Sequence, residues 1–408
     1  MQTGQEELAR FWSGSPLYAY VETAESTTSE QGTSLSRLLV LDLVRATDMQ
    51  RLFHSRPDAR DGLSWVPSAI AVAKLPSEHS VPSSRFSEGS WEKVVLGEGD
   101  VQAYLLKDLD ADPHIPVAMR VLPEPSPDER RSLKATVNLD DVQRASPAEL
   151  QALELRTPGI VDVIHVGQGN CNAVCDSRGV PRVYYDLGAG CLWNAHTCPK
   201  GLQLCFTEEP PVVLSHWDFD HWYAAEKDPR ALALKWFAPN QSVGVRTRKF
   251  VDKLVAAGSL RIWPPGTSYL VAGALRVLRC RGITKNDSGL ALGVRFADGQ
   301  VVLCPGDAGY DSIPLRRMVR RPLAGLIASH HGSSHLCGTI PAGVPNAPIA
   351  FAYGTGNTYH HPSGSLAHYH AAGWSRQLMT PNGNIALGGP HRGVGCGGRQ
   401  CTITTTQS

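Results

Sequence analysis

The chain has 408 residues, 42% hydrophobic and 19% charged, which is more than one small core accommodates and leads us to expect two or three globular domains. It holds no apolar run of about 18 residues, and its polar start, MQTGQEELARFW, does not read as a secretory signal, so we expect a cytoplasmic protein with no membrane partner. Ten cysteines in that setting point to reduced thiols or metal ligands rather than a disulfide framework. The net charge of +1 divides unevenly. Residues 1–155 carry 15 Lys+Arg against 24 Asp+Glu, a balance of −9; the remainder carries 24 against 14, a balance of +10. A basic second part favours an anionic substrate such as nucleic acid. The plain alternative is that the two parts attract each other.

In chain order, Ser36–Val44 (SRLLVLDLV) reads as a strand or short helix and Ser68–Lys74 (SAIAVAK) as a strand. The connectors AESTTSEQGTS, LPSEHSVPSS and LPEPSPDERR read as turns, giving residues 1–155 the grammar of a small mixed α+β domain. Ser146-Pro147-Ala148-Glu149 is a helix start, with proline at the first helical position and glutamate at the third. His54, His79 and His114 stand alone there and suggest no site. From about Gly159 short apolar runs alternate with Gly and polar residues, each run delivering a His or Asp at its end. Arg246–Ala257 and Gly364–Ala372 read as helices between them.

The densest chemistry lies in LSHWDFDHW, Leu214–Trp222. In an extended chain alternate residues share a face, so His216, Asp218 and Asp220 could converge, with His221 beside them. Imidazole with carboxylate suits zinc, manganese or iron better than calcium. A solvated loop after a strand is the alternative.

Taken with its neighbours, this stretch resembles the metallo-β-lactamase fold, and in its Asp-x-Asp-His form the hydrolase domain of ComEC-type DNA-uptake proteins. HVGQGNCNAV, YYDLGAG, KNDSGLAL, CPGDAG, ASHHGSS and GNTYHHPS follow in the order of that family's motifs, over about Gly159–Gly389. The resemblance implies a four-layer αββα domain over residues 156–408, a stand-alone soluble α/β hydrolase behind an acidic domain of unknown role. It implies two divalent ions, zinc or manganese, about 3.5–4 Å apart. His216 and Asp218 would hold one and Asp220 and His221 the other, with Asp307 bridging and His330 completing the set. His331 is the rival of His330 for that place. A water between the ions, acidified toward a pKa near ~7, would be the nucleophile. Asp220, His331 and His361 would carry the catalysis, Asn286, Ser288, His331 and His361 would face substrate, and Asp186 would support the histidine ligands.

The chain departs from that pattern at His165 and Asn170, where the family has Asp, and Gly167 and Gly169 are expected to let the loop pass close to metals or substrate. Arg316, Arg317, Arg320 and Arg321 form two i, i+4 pairs on an expected helix, Arg316 and Arg320 facing a phosphate backbone unless that face is simply solvated. Cys191, Cys198, Cys205, Cys396 and Cys401 are spaced too widely for a zinc knuckle and read as free thiols, with an extra zinc site as the alternative. The leading function is a dinuclear phosphodiesterase or nuclease acting on DNA. The alternatives are hydrolysis of a small ester (cyclic nucleotide, phosphocholine ester, lactone or β-lactam) and an interaction or effector protein whose N-terminal domain binds a protein partner. In that last reading the acidic domain could block the basic site, and removing residues 1–155 should raise activity at low salt.

Overall fold

A computed structural model describes residues 2–28, 35–54, 63–76, 85–110, 114–318, 322–333, 338–362 and 364–388. The chain divides into two compact units, Met1–Leu139 with Ser242–Lys253, and Asp140–Gln241 with Leu254–Ser408.

The first unit is built on five strands, β1 (Leu17–Thr28), β2 (Leu35–Arg45), β3 (Ser68–Pro76), β4 (Trp91–Leu106) and β5 (Ile115–Val121), hydrogen-bonded in that order. The sequence left Ser36–Val44 open between strand and helix; it is β2. Leu17–Tyr20 pairs with β4 as well as with β2, so β1 to β4 close on themselves around Val21, Leu41, Ala71, Val94 and Leu105. The segment Ser242–Lys253 carries most of the helix Val245–Ala256. It is fastened by Asp42 Oδ2, which accepts the Arg246 amide at 2.5 Å, and by Lys249 Nζ, which donates to the Val66 carbonyl at 2.5 Å. A cut at residue 155 would therefore remove both partners of this helix, and the truncation suggested by the sequence does not isolate a blocking domain.

The second unit holds two seven-stranded sheets. The first contains β6 (Pro158–Val163), β7 (Cys171–Asp176), β8 (Pro181–Leu187), β9 (Val212–Val213), β10 (Trp236–Ala238) and β11 (Leu260–Ile262). The second contains β12 (Tyr269–Ala272), β13 (Leu275–Arg279), β14 (Leu290–Arg295), β15 (Val301–Cys304), β16 (Gly325–Ile327), β17 (Pro348–Phe351) and β18 (Arg376–Met379). A last strand, β19 (Ile385–Leu387), returns to pair with β6, giving the orders β11-β10-β9-β8-β7-β6-β19 and β12 through β18. Along β14, Leu290, Leu292 and Val294 point into a core shared with Val161, Val174 and Val213 of the first sheet. Ala291 points the other way, into a second cluster with Leu326, Phe351 and Trp374. The period-2 alternation thus has both faces covered, which explains the near-continuous apolar runs.

Each sheet is antiparallel on one side and parallel on the other, the change falling at β8/β9 and at β15/β16. The architecture is mixed α/β with several sheets and few helices. Among the described residues no helix is long and apolar enough to cross a membrane.

Sequence and structure differ in two local elements. The helix begun at Ser146 has its full capping box but runs only Pro147–Gln151. The arginine stretch is a single tight turn, Leu315–Arg317, in which Arg317 Nη1 donates to Ser268 Oγ at 2.7 Å. A proline before it and a non-helical exit deny it a regular face. Arg320 and Arg321 lie outside the described residues, so no helical pairs with them are described.

Candidate metal centre

The residues that carry chemistry leave the C-terminal ends of strands on both sides of these junctions. Asp186 closes β8, Ser215 and His216 follow β9, Asp307 follows β15, and His330 and His331 follow β16. Strand ends at such a change of direction hold side chains clear of the sheet while the core fixes their roots.

The segment 215–222 is not extended. After a loop, Phe219–Trp222 forms one helical turn with Asp218 at its N-cap. Trp217 and Trp222 are fully buried and pin it; Trp217 Nε1 donates to the Pro239 carbonyl at 2.9 Å. The expected i, i+2, i+4 convergence therefore fails. Instead His216 and His221 meet, ring centroids 4.1 Å apart. Asp307 reaches both, with Oδ1 3.2 Å from His221 Nε2 and Oδ2 3.9 Å from His216 Nε2. Asp220 Oδ2 lies 3.1 Å from His331 Nε2. Two groups of three could hold a metal ion: His216, His221 and Asp307, and Asp220, His221 and His331.

Tautomers follow from the partners. Ser215 Oγ donates to Asp186 Oδ2 at 2.8 Å, so its oxygen accepts from the Nδ1–H of His216 at 2.9 Å. His221 Nδ1 donates to Asp186 Oδ2 at 2.9 Å, and His331 Nδ1 to the Ala352 carbonyl at 2.8 Å. All three Nε2 atoms then carry lone pairs, are buried and make no hydrogen bond. Buried polar atoms are normally satisfied. Three orphaned imidazole nitrogens aimed at two carboxylates fit the donor set of zinc or a first-row divalent ion.

The charges fit as well. Burial works against ionised Asp307, yet His221, His330 and His331 outweigh it and hold the carboxyl well below the usual range. Burial likewise depresses His221, and Asp307, Asp186 and Asp220 more than reverse this. A divalent cation would answer the same negative charge while displacing the imidazole protons.

Asp186 is the hub beneath the cluster. It accepts the Ser215 amide at 2.6 Å and Asn170 Nδ2 at 2.9 Å, besides its two partners above. Its backbone sits in the left-handed region (φ 64°), a costly setting for a non-glycine residue. Asn170, the departure from the family's Asp, thus supplies a donor where a second carboxylate would repel Asp186. The glycines of the opening loop approach protein rather than substrate. A Cβ at Gly169 would lie 2.8 Å from the Asp220 carbonyl oxygen, and one at Gly167 2.5 Å from that of Thr197. At Gly188 it would overlap the Asp220 carbonyl outright.

Asp218 lies in neither group. Its Oδ1 is 2.7 Å from Lys285 Nζ and its Oδ2 3.2 Å from His216 Nε2. Lys285, missed by the sequence reading, is buried. Its carbonyl accepts Gln241 Nε2 at 2.6 Å, and Ser288 Oγ accepts the same amide group at 2.9 Å. Ser288 therefore braces the Lys285 turn. Asn286, in that same turn, keeps a buried Oδ1 with no hydrogen-bond partner.

His331 rather than His330 joins the ligand groups. Both have left-handed backbones (φ 55° and 50°), so their rings diverge, with centroids 6.2 Å apart. His330 Nε2 stays 3.6 Å from Asp307 Oδ2 with its side chain 21% exposed, turned toward the mouth of the cluster. His361 stacks on His331 with centroids 6.1 Å apart, and on Tyr359 at 5.5 Å. The Gly354 amide donates to Gln168 Oε1 at 3.4 Å, which turns Gln168 Nε2 toward His361 Nδ1 at 3.2 Å. His361 then accepts at Nδ1 and bears its proton on Nε2. Arg316 is described only in its tight turn, and Arg320 lies outside the described residues.

Cys191 and Cys205 are buried free thiols and Cys198 a partly buried one; no candidate metal group among the described residues contains a cysteine. Cys396 and Cys401 lie outside the described residues.

No protein-family profile and no curated protein matches the chain. Among solved structures it is similar to an isothiocyanate hydrolase from Delia radicum gut bacteria, at 12% identity over 41% of this chain and 72% of that one, with a TM-score of 0.28. A likeness so slight carries no argument about fold or chemistry. The class rests on the chain itself: a mixed α/β protein with a buried His/Asp cluster that could hold a divalent ion.

Proposed function

We propose that the chain is a divalent-metal-dependent hydrolase of phosphodiesters, built on a four-layer metallo-β-lactamase fold. The observation that carries this reading is the convergence of three unpartnered buried imidazole nitrogens on Asp220 and Asp307. His216, His221, His331, Asp220 and Asp307 would hold zinc or manganese. When bound, such an ion supplies Lewis acidity and acidifies water.

The protein's own groups do the rest. Asp186, Ser215 and the Ala352 carbonyl fix ring orientation by holding the Nδ1 protons. His361, with its proton on Nε2, is placed to donate to an oxygen of the substrate. His330 offers a second polar contact at the mouth. The balance of +10 from residue 156 onward favours a polyanion, and nucleic acid is the first candidate.

The test is a substrate panel on one metal-loaded preparation: bis(4-nitrophenyl) phosphate, single- and double-stranded oligonucleotides, a lactone and a β-lactam. Metal-dependent cleavage of the phosphodiesters is expected. Turnover of the lactone or β-lactam alone would keep the hydrolase and discard the phosphodiester.

A further inference from the structure

The buried Lys285–Asp218 pair bears on how many ions the cluster holds, a question that rests on the metal-centre reading above. The two candidate groups share one residue, His221. Its Nδ1 is committed to Asp186, so only Nε2 remains, and one imidazole lone pair ligates one ion. On the other side of the cluster, the carboxylate that a second ion would need is already neutralised. Asp218 Oδ1 lies 2.7 Å from the Lys285 ammonium, and the lysine side chain is 4% exposed.

We propose that Lys285 is a built-in cation in place of a second metal, so that this chain binds a single divalent ion around His221 Nε2. Asp218 then serves as the lysine's counter-charge and not as a ligand. The lysine is held for this task. Its carbonyl is anchored by Gln241 and its turn by Thr284, whose Oγ1 donates to Asp287 Oδ2 at 3.0 Å. A second ion at Asp218 would leave a buried ammonium unpaired beside a double positive charge, which burial makes costly.

Metal content decides it. Wild type, Lys285→Met and Asp218→Asn are equilibrated with excess zinc and, separately, manganese, freed of unbound metal, and analysed by plasma mass spectrometry. One ion per chain is expected in wild type and Asp218→Asn, with affinities within about threefold, and two in Lys285→Met. Two ions in wild type would overturn the inference and leave the metal centre standing. None in wild type would remove the metal centre itself. One ion in folded Lys285→Met would overturn the role of the lysine. Should that variant not fold, Asp218→Asn decides alone: a tenfold or greater loss of affinity makes Asp218 a ligand and ends the proposal.

Discussion

Asp186 Oδ2 accepts the Nδ1 proton of His221 at 2.9 Å, while Oδ1 of the same carboxylate accepts the Ser215 amide at 2.6 Å. One buried side chain thereby sets the tautomer of one candidate ligand and the path of the backbone that carries another. Asp186→Asn keeps the shape and tolerates the left-handed backbone, yet it can answer His221 only through its single amide oxygen. Zinc affinity should fall roughly 10- to 100-fold, read by competition with a chromophoric chelator. An unchanged affinity would mean that Asp186 merely fills space.

Gly188 has no room for a side chain, because its Cβ would overlap the Asp220 carbonyl. Gly188→Ala should displace the helical turn bearing Asp220 and His221. We expect a loss of about 1–3 kcal/mol in urea unfolding, accompanied by weaker metal binding. Stability falling without any change in metal affinity would detach this contact from the site.

His361 bonds to Gln168 through Nδ1 and belongs to neither ligand group. His361→Gln should lower kcat by about 10²–10⁴ with metal content retained. Loss of metal in this variant would place His361 among the ligands instead.

Asp162 is buried in β6 with one weak contact, Asn384 Nδ2 at 3.5 Å, and burial raises its pKa to about 7 against that contact. A folded pKa above the unfolded one means that between about pH 4 and pH 7 the native chain holds a proton the unfolded chain has released. This group's contribution is therefore complete at low pH, is lost as pH rises through that window, and is flat above it. Asp162→Asn should gain on wild type progressively from pH 4.5 to 7, by at most roughly 4 kcal/mol, and no further at pH 8. Urea midpoints of both proteins at these pH values check it, and a constant difference would show that the carboxyl ionises normally.

Much of the cluster could be named from the sequence, because its residue types stand at the ends of apolar runs: His216, Asp220, His221, Asp307 and Asp186. How they meet could not. The alternation argument assumed extended chain through Asp218, but the burial of Trp217 and Trp222 favours a helical turn from Phe219, which replaces that convergence with the His216–His221 contact. The choice between His330 and His331 depended on two left-handed backbones that no pattern of side chains announces. Lys285 pairs with Asp218 across 67 positions, and its only local signal was a charged residue inside an otherwise apolar strand approach. Among the arginines, local propensity suggested a helix, and Pro314 with its tight turn prevailed.

The central claim is that this cluster makes the chain a metal-dependent hydrolase. The most direct measurement is cleavage of bis(4-nitrophenyl) phosphate and of an oligonucleotide by one preparation of known metal content, wild type beside Asp307→Ala. The account predicts activity that chelation abolishes and added zinc or manganese restores, with metal content and activity lost together in Asp307→Ala. A wild-type chain that binds no metal, or cleaves equally well after chelation and in Asp307→Ala, would contradict it.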